Sequence, residues 1–184
     1  MRLFTAITLG SAVEAKATAG LERLRAMAPK ARWVKPEGFH LTLVFLGEVS
    51  EAQLPAIGEA LTPVSHHHTP FTLTIQGGGC FGAPRHPNVL WAGVQGNTAA
   101  LEALQAEVAS VLEPLGFTRD KRMYKGHLTL ARAKEPRGDA AFLECQRALE
   151  KEHWGEGRVE HLILFESKAG RYVPRLELPL AGAL

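Results

Sequence analysis

The chain has 184 residues, 46% of them hydrophobic and 22% charged, with a formal net charge of +2. This is the composition of an ordinary soluble globular protein that can bury a sizeable core, and no apolar run approaches the ~20 residues needed to span a bilayer. Two cysteines without Cys-x-x-Cys spacing argue against a disulfide scaffold or a thiolate zinc site and for a reducing cytoplasm, and the mild charge argues against wrapping a long duplex but not against binding a nucleotide end.

"RLFTAITL" (2–9) predicts a first strand. It could pass for a weak signal peptide, but charge and helical spacing come directly after it. Ser11 and Glu14 suggest a capping box, and Val13, Ala17, Leu21, Leu24 and Met27 give the helix behind it an apolar stripe that Pro29 ends. "HLTLVFL" (40–46) predicts the next strand. Ser50 and Gln53 suggest a second capping box, opening a helix to about Leu61, with "TPVSHHHTP" as a loop. "FTLTI" (71–75) alternates as a strand does. "GGGCFGAPRHP" reads as a turn-rich connection to a strand at 88–94.

Asn97 then caps a long helix striped by Leu101, Leu104, Val108, Val111 and Leu115. "HLTLAR" (127–132) predicts a strand, 139–150 a helix, and 161–167 with 171–178 two closing strands about Gly170. Pro174 assigns the last one to a sheet edge. The order is β-α-β-α-β followed by β-α-β-α-β-β, and each half carries His-Leu-Thr-Leu in its second strand. The expectation is one domain over 1–184, built of two pseudo-symmetric lobes around one core, each lobe contributing one motif.

Side chains alternate across a strand, so Leu41 and Leu43 face one side, and His40 and Thr42 the other. The same holds for Leu128 and Leu130 against His127 and Thr129. The leucines have a helix to pack on. A single His-Thr pair would be a polar filler satisfied by nearby backbone. Two copies nearly half a chain apart in a duplicated layout point instead to two imidazoles and two hydroxyls across one cleft. That set suits a phosphate: near neutral pH one imidazole is base and the other acid, while hydroxyls hold non-bridging oxygens.

These paired motifs resemble the two-histidine phosphoesterase superfamily, and within it the RNA 2′,3′-cyclic phosphodiesterase branch, long called 2′-5′ RNA ligase. "RLFTAITL", "FHLTLVFLG", "NVLWAGV", "HLTLAR" and "FESKAGRYVPRLELPL" fall in family order over nearly the whole chain. The resemblance implies an α+β, bilobal, duplicated fold with a concave, mostly antiparallel sheet and helices outside. It implies catalytic His40 (proton donor) and His127 (proton acceptor), with Thr42 and Thr129 on the phosphate. Arg132 matches a position near substrate, and Phe45 matches an aromatic that lines the base pocket, with core packing as the other reading. Gly126 stands where the family often has Pro, and Asn88 where many members have Arg.

The basic cluster Arg119, Lys121, Arg122 and Lys125 runs into the second motif, and Arg122 and Lys125 are candidate substrate contacts; a solvated loop is the other reading. The activity implied is metal-independent and cofactor-free hydrolysis of RNA 3′ ends bearing a 2′,3′-cyclic phosphate, tRNA fragments among them, to 2′-phosphomonoesters. The same site run backward would join a 5′-hydroxyl in a 2′-5′ linkage. A monomer in the cytoplasm, without membrane contact, is expected. Three alternatives stand beside it: a phosphodiesterase of small cyclic nucleotides or of ADP-ribose cyclic phosphate, a non-catalytic RNA-end binder, and a metal hydrolase built on His66, His67 and His68 with His86. Adjacent loop histidines rarely converge on one ion, which weighs against the last. His153 and His161 read as structural or surface residues.

Overall fold

Alternating strands and striped helices resolve, in the computed structural model, into nine strands and four helices among the described residues, 1–183. They are β1 (Arg2–Ile7), α1 (Ser11–Met27), β2 (Arg32–Trp33), β3 (Leu41–Glu48), α2 (Leu54–His67), β4 (Phe71–Gly82) and β5 (Pro87–Gly96), then α3 (Thr98–Leu112), β6 (Leu128–Arg132), α4 (Ala141–Leu149), β7 (His153–Val159), β8 (His161–Lys168) and β9 (Arg171–Pro179). All strand pairs are antiparallel, and the fold is α+β.

The strands form two sheets, of order β3-β1-β8-β9 and β2-β6-β5-β4-β7. Without the two-residue β2, the orders correspond: β3 with β6, β1 with β5, β8 with β4. The run β1-α1-β3-α2 keeps two strands in the first sheet and sends its next strand, β4, into the second. The run β5-α3-β6-α4 keeps two in the second and later sends β8 into the first. This exchange ties the sheets together covalently at both crossings.

Each sheet has one face on the main core. In β1, Leu3 and Ile7 enter that core with Leu41, Leu43, Leu128, Leu130 and the helix residues Leu21, Leu104 and Val108. Burying each such side chain contributes about 1.5–3 kcal/mol. The opposite face of the first sheet carries a small separate cluster of Phe4, Ala6, Ile163 and Phe165. That second face holds the first motif.

Several local expectations change. The Ser11–Glu14 capping box does not form: the residue before α1 is Gly10, in a left-handed conformation with no side-chain cap, and Met27 turns outward. The Ser50–Gln53 box is present, as is the Asn97 cap, whose side chain accepts from the Ala100 N–H at 3.2 Å. Helix α2 runs six residues past its expected end, through Pro63 to His67. Fully buried Val64 fixes that last turn to the core, and the Ser65 hydroxyl donates to the Thr62 carbonyl. The glycines of "GGGCFG" lie inside β4 rather than in a turn. A Cβ on Gly79 would run into the Trp91 ring, so glycine here permits a side chain to lie on the strand. Strands β2 and β7 were not foreseen. In β7 the buried alternating row is Gly155, Gly157 and Val159, so two glycines leave no apolar alternation to read.

Candidate active site

His40 and His127 each stand one residue before a strand, β3 and β6. The first residues of those strands, Leu41 and Leu128, are fully buried and anchor each motif on the core. Each imidazole Nδ1 lies 2.8 Å from the carbonyl oxygen two residues back, Gly38 for His40 and Lys125 for His127. A carbonyl only accepts, so Nδ1 carries the proton and donates. This leaves Nε2 in both rings as the nitrogen available for chemistry, a lone pair when neutral and a donor when protonated.

The two motif strands share an irregularity. Across β1 and β3, Ala6 faces Thr42 and Thr5 faces Val44, so Leu43 is an extra residue. Across β5 and β6, Trp91 faces Thr129 and Leu90 faces Ala131, so Leu130 is an extra residue. Residues three apart normally lie on opposite faces of a strand. The bulges bring Phe45 onto the face of Thr42, opposite Phe4, and Arg132 onto the face of Thr129, opposite Val89. Each motif therefore reads His-x-Thr-bulge-x-residue on one face, with Phe45 and Arg132 in corresponding places.

Tyr124 joins the motifs. Three residues before His127, its hydroxyl donates to the Thr42 carbonyl at 3.0 Å, across two sheets. Gln105 of α3 reaches the neighbouring Leu43 carbonyl at 3.4 Å. Burial, with the charge of Glu102, raises the Tyr124 pKa, which keeps the hydroxyl a donor.

Aromatic rings pack around both imidazoles. His40 meets Tyr172 edge-on at 4.7 Å and Phe4 at 5.0 Å between ring centroids. His127 meets Phe81 edge-on at 4.9 Å, with Trp91 at 6.1 Å. This burial disfavours the charged rings and lowers both pKa values from the ordinary 6.5. The hydrogen bonds to Gly38 and Lys125 oppose the shift. Arg132 lowers both values, with His127 adding to the effect on His40 and Lys125 to that on His127. One cation thus acts on both imidazoles.

The remaining predicted residues divide. Thr42 and Thr129 are half-buried beside their histidines. Phe45 is 59% exposed, its ring tilted against Phe4 with centroids 5.6 Å apart, which answers the core-packing reading. Lys125 sits with its Nζ 4.6 Å over the Trp91 ring. Arg122 turns away: its guanidinium pairs with Asp120 at 2.8 Å on an exposed loop, and Arg119 pairs with Glu113. His67 and His68 both bond Glu107 of α3, which accounts for two of the three consecutive histidines. Sequence reasoning missed Phe4, Phe81, Trp91, Tyr124 and Tyr172. Their nearness to the motifs comes from elements far apart in sequence, so no local pattern marked them.

The chain matches other proteins over most of its length. A family model described as LigT like Phosphoesterase matches residues 12–91, which contain the first motif. The crystal structure of TT0787 of Thermus thermophilus superposes with a TM-score of 0.77 and 27% identity, over 99% of each chain. Escherichia coli LigT complexed with 3′-AMP gives 0.73 and 26%, over 97% of each. An RNA 2′,3′-cyclic phosphodiesterase of Archaeoglobus fulgidus is 36% identical over 167 residues, 91% of each chain. Similarity of that extent, over both His-x-Thr strands, makes the chain a member of the LigT-like RNA 2′,3′-cyclic phosphodiesterase family.

Proposed function

We propose that the protein hydrolyses RNA 2′,3′-cyclic phosphate ends to 2′-phosphomonoesters, using two histidines and no metal. The observation that carries this reading is the matched pair of imidazoles, each held through Nδ1 with Nε2 free, under the influence of one arginine. The names of the relatives support the same reaction class.

The cyclic phosphate is a strained five-membered diester. A water in line with the O3′–P bond gives its proton to His127 Nε2 as its oxygen bonds to phosphorus. The O3′–P bond breaks, and His40 Nε2 supplies the proton to O3′. The phosphate remains on the 2′ oxygen. Each proton transfer can supply ~10²–10⁴-fold. Thr42 and Thr129 donate to the non-bridging oxygens, and Arg132 offsets their charge. Because the free rings have lowered pKa values, the substrate's own anion helps keep the acid charged: a bound phosphodiester raises both rings toward protonation. Exposed Phe45 and Tyr172 offer surfaces on which the terminal base can stack. The two sheets act as two lobes of one domain, each bringing one motif. Run in reverse, with a 5′-hydroxyl in place of water, the same steps form a 2′-5′ linkage; bulk water makes hydrolysis the ordinary direction.

The test is turnover of an oligonucleotide ending in a 2′,3′-cyclic phosphate, with product analysis, in excess EDTA. Retention of activity and a 2′-phosphate product are expected. Loss on chelation with rescue by a divalent ion, or a 3′-phosphate product, would overturn the mechanism. A parallel panel of small cyclic nucleotides measures whether an RNA chain is needed.

A further inference from the structure

The Thr129 face of the five-stranded sheet ends, at its edge, in two like charges. Arg32 of β2 and Arg132 of β6 are cross-strand partners. Their neighbours Trp33 and Ala131 are also partners, and both pack on the main core. Alternation therefore puts the two arginines on the opposite face, the face of Thr129. One row on that face runs Arg32, Arg132, Val89, Phe81 across β2, β6, β5 and β4. Phe81 meets the His127 ring, so the row starts beside an imidazole and finishes, on the edge strand β2, in a pair of cations.

Like charges directly opposite in a ladder destabilise it. Both side chains are exposed, and neither guanidinium pairs with a carboxylate among the described residues. The segment that presents Arg32 is nevertheless fastened directly behind it. Trp33 donates its indole N–H to the Ala28 carbonyl at 2.9 Å, and the Val34 N–H donates to the Leu130 carbonyl at 2.8 Å. A two-residue strand anchored on the core thus holds one arginine beside another. A repulsion kept in place by its surroundings points to an anion shared by both. Each guanidinium is a planar fork of N–H donors that matches phosphate oxygens, and two of them can hold both non-bridging oxygens of one phosphodiester. Arg132 is also the cation that acts on both imidazoles, so a phosphate held here is next to the one at the histidines.

We propose that Arg32 and Arg132 form a second phosphate site, which takes the phosphodiester on the 5′ side of the nucleotide bearing the cyclic phosphate. An RNA strand then leaves the cleft over the β2 edge of the five-stranded sheet. The proposal rests on the cyclic-phosphate reading above, which fixes the 3′ end at the histidines. It adds a contact that an RNA chain makes and a nucleoside cyclic phosphate cannot. Arg132 stands between the two phosphates, and Arg32 serves the second alone.

Two measurements test it. The first compares kcat/KM on three substrates: adenosine 2′,3′-cyclic phosphate, the adenosine dinucleotide with the same cyclic end, and that dinucleotide with a neutral methylphosphonate link. Wild type should favour the natural dinucleotide over the other two by about 10-fold, the worth of a hydrogen bond between charged groups. Arg32→Ala should lower the natural dinucleotide by about 10-fold and the other two by less than about 2-fold. Arg32→Lys should restore only part of the preference, because an ammonium keeps the charge and loses the fork. The melting temperature of Arg32→Ala should hold or rise, since a repulsion is relieved. Equal losses on all three substrates, or a wild type that does not distinguish the charged link from the neutral one, would overturn the inference. The second measurement needs no turnover: calorimetric titration with the dinucleotide 2′-phosphate should give a Kd about 10-fold weaker for Arg32→Ala, with the methylphosphonate analogue unchanged. Turnover without that difference sinks the second phosphate site alone, whereas the difference without turnover sinks the activity reading and leaves the site.

Discussion

At His40 and His127 the same short contact, Nδ1–H to the carbonyl two residues back, sets the tautomer and aims Nε2. In the proposed reaction the two rings act as one unit. His40→Ala and His127→Ala should each remove most of the turnover, and the double variant should be little worse than either, in a steady-state assay. If Thr42 and Thr129 hold the phosphate as proposed, Thr42→Ala and Thr129→Ala should each cost about 1.5–3 kcal/mol in kcat/KM, the loss of one charge-assisted hydrogen bond. A substrate whose leaving group needs no proton separates the roles. On it, His40→Ala should recover far more than His127→Ala, and equal damage would remove the support for His40 as the acid. The rate should be bell-shaped in pH, with limbs belonging to the coupled pair. Both rings have pKa values below the ordinary 6.5 in the free protein. A bound phosphodiester raises them, so the kcat profile should lie at higher pH than the kcat/KM profile. Stability carries the same sign. As pH falls below about 6.5, the unfolded chain takes up protons that the buried rings resist, and the folded state loses ground until the folded pKa values are passed. The urea midpoint should therefore fall from pH 7 toward pH 5. A His40→Gln, His127→Gln double variant should flatten that slope.

Among the elements, β3 and β6 show where the sequence is transparent and where it is not. His40, Thr42, His127 and Thr129 were readable because alternation puts them together against buried leucines, and because the tetrapeptide occurs twice. The bulges at Leu43 and Leu130 were not readable. An extra residue reverses the face of every later position in the strand, and no residue type in Leu43-Val44-Phe45 or Leu130-Ala131-Arg132 marks where it falls. Phe45 and Arg132 thus looked unrelated, although they occupy corresponding places. The glycines of β4 misled for a similar reason: the usual meaning of Gly-Gly-Gly is a turn, and here it is room for Trp91 and Leu149. The aromatic shell of Tyr172, Phe81 and Phe4 depends on strand neighbours far apart in sequence, so no local pattern announces it. The Tyr124 hydroxyl is the same kind of long-range feature, and its loss has a defined cost. Tyr124→Phe leaves the part-buried Thr42 carbonyl without this donor and should destabilise the fold by about 1–3 kcal/mol. It should lower kcat more than it raises KM, since it loosens one motif against the other without removing a substrate contact. A proportional loss in KM instead would make Tyr124 a binding residue.

Across the whole molecule, the exchange of β4 and β8 between sheets lets two short motifs approach without any flexible linker. It also decides which positive charges matter. In sequence, Arg119, Lys121, Arg122 and Lys125 form one basic stretch leading into the second motif. In space the stretch is divided: Arg119 is offset by Glu113 and Arg122 by Asp120, while Lys125 lies on Trp91 and Arg132 stands where it influences both imidazoles. An RNA strand should feel the second pair more than the first. Affinity for a single-stranded RNA falls with salt, with a log–log slope of about −0.7 for each phosphate neutralised. Lys125→Ala and Arg132→Ala should each weaken binding and make that slope shallower by roughly one such contact. Arg122→Ala should change neither much, because it removes a charge already countered. Asp120→Asn provides the converse, since it frees the Arg122 guanidinium and should strengthen RNA binding at low salt and steepen the slope. Turnover of a mononucleotide cyclic phosphate should be unaffected by Arg122→Ala and Asp120→Asn. Fluorescence anisotropy of a labelled oligonucleotide across a salt series reads all four variants. A large loss from Arg122→Ala, with Lys125→Ala silent, would show that the loop rearranges when RNA binds and that the ion pair with Asp120 belongs to the free protein alone.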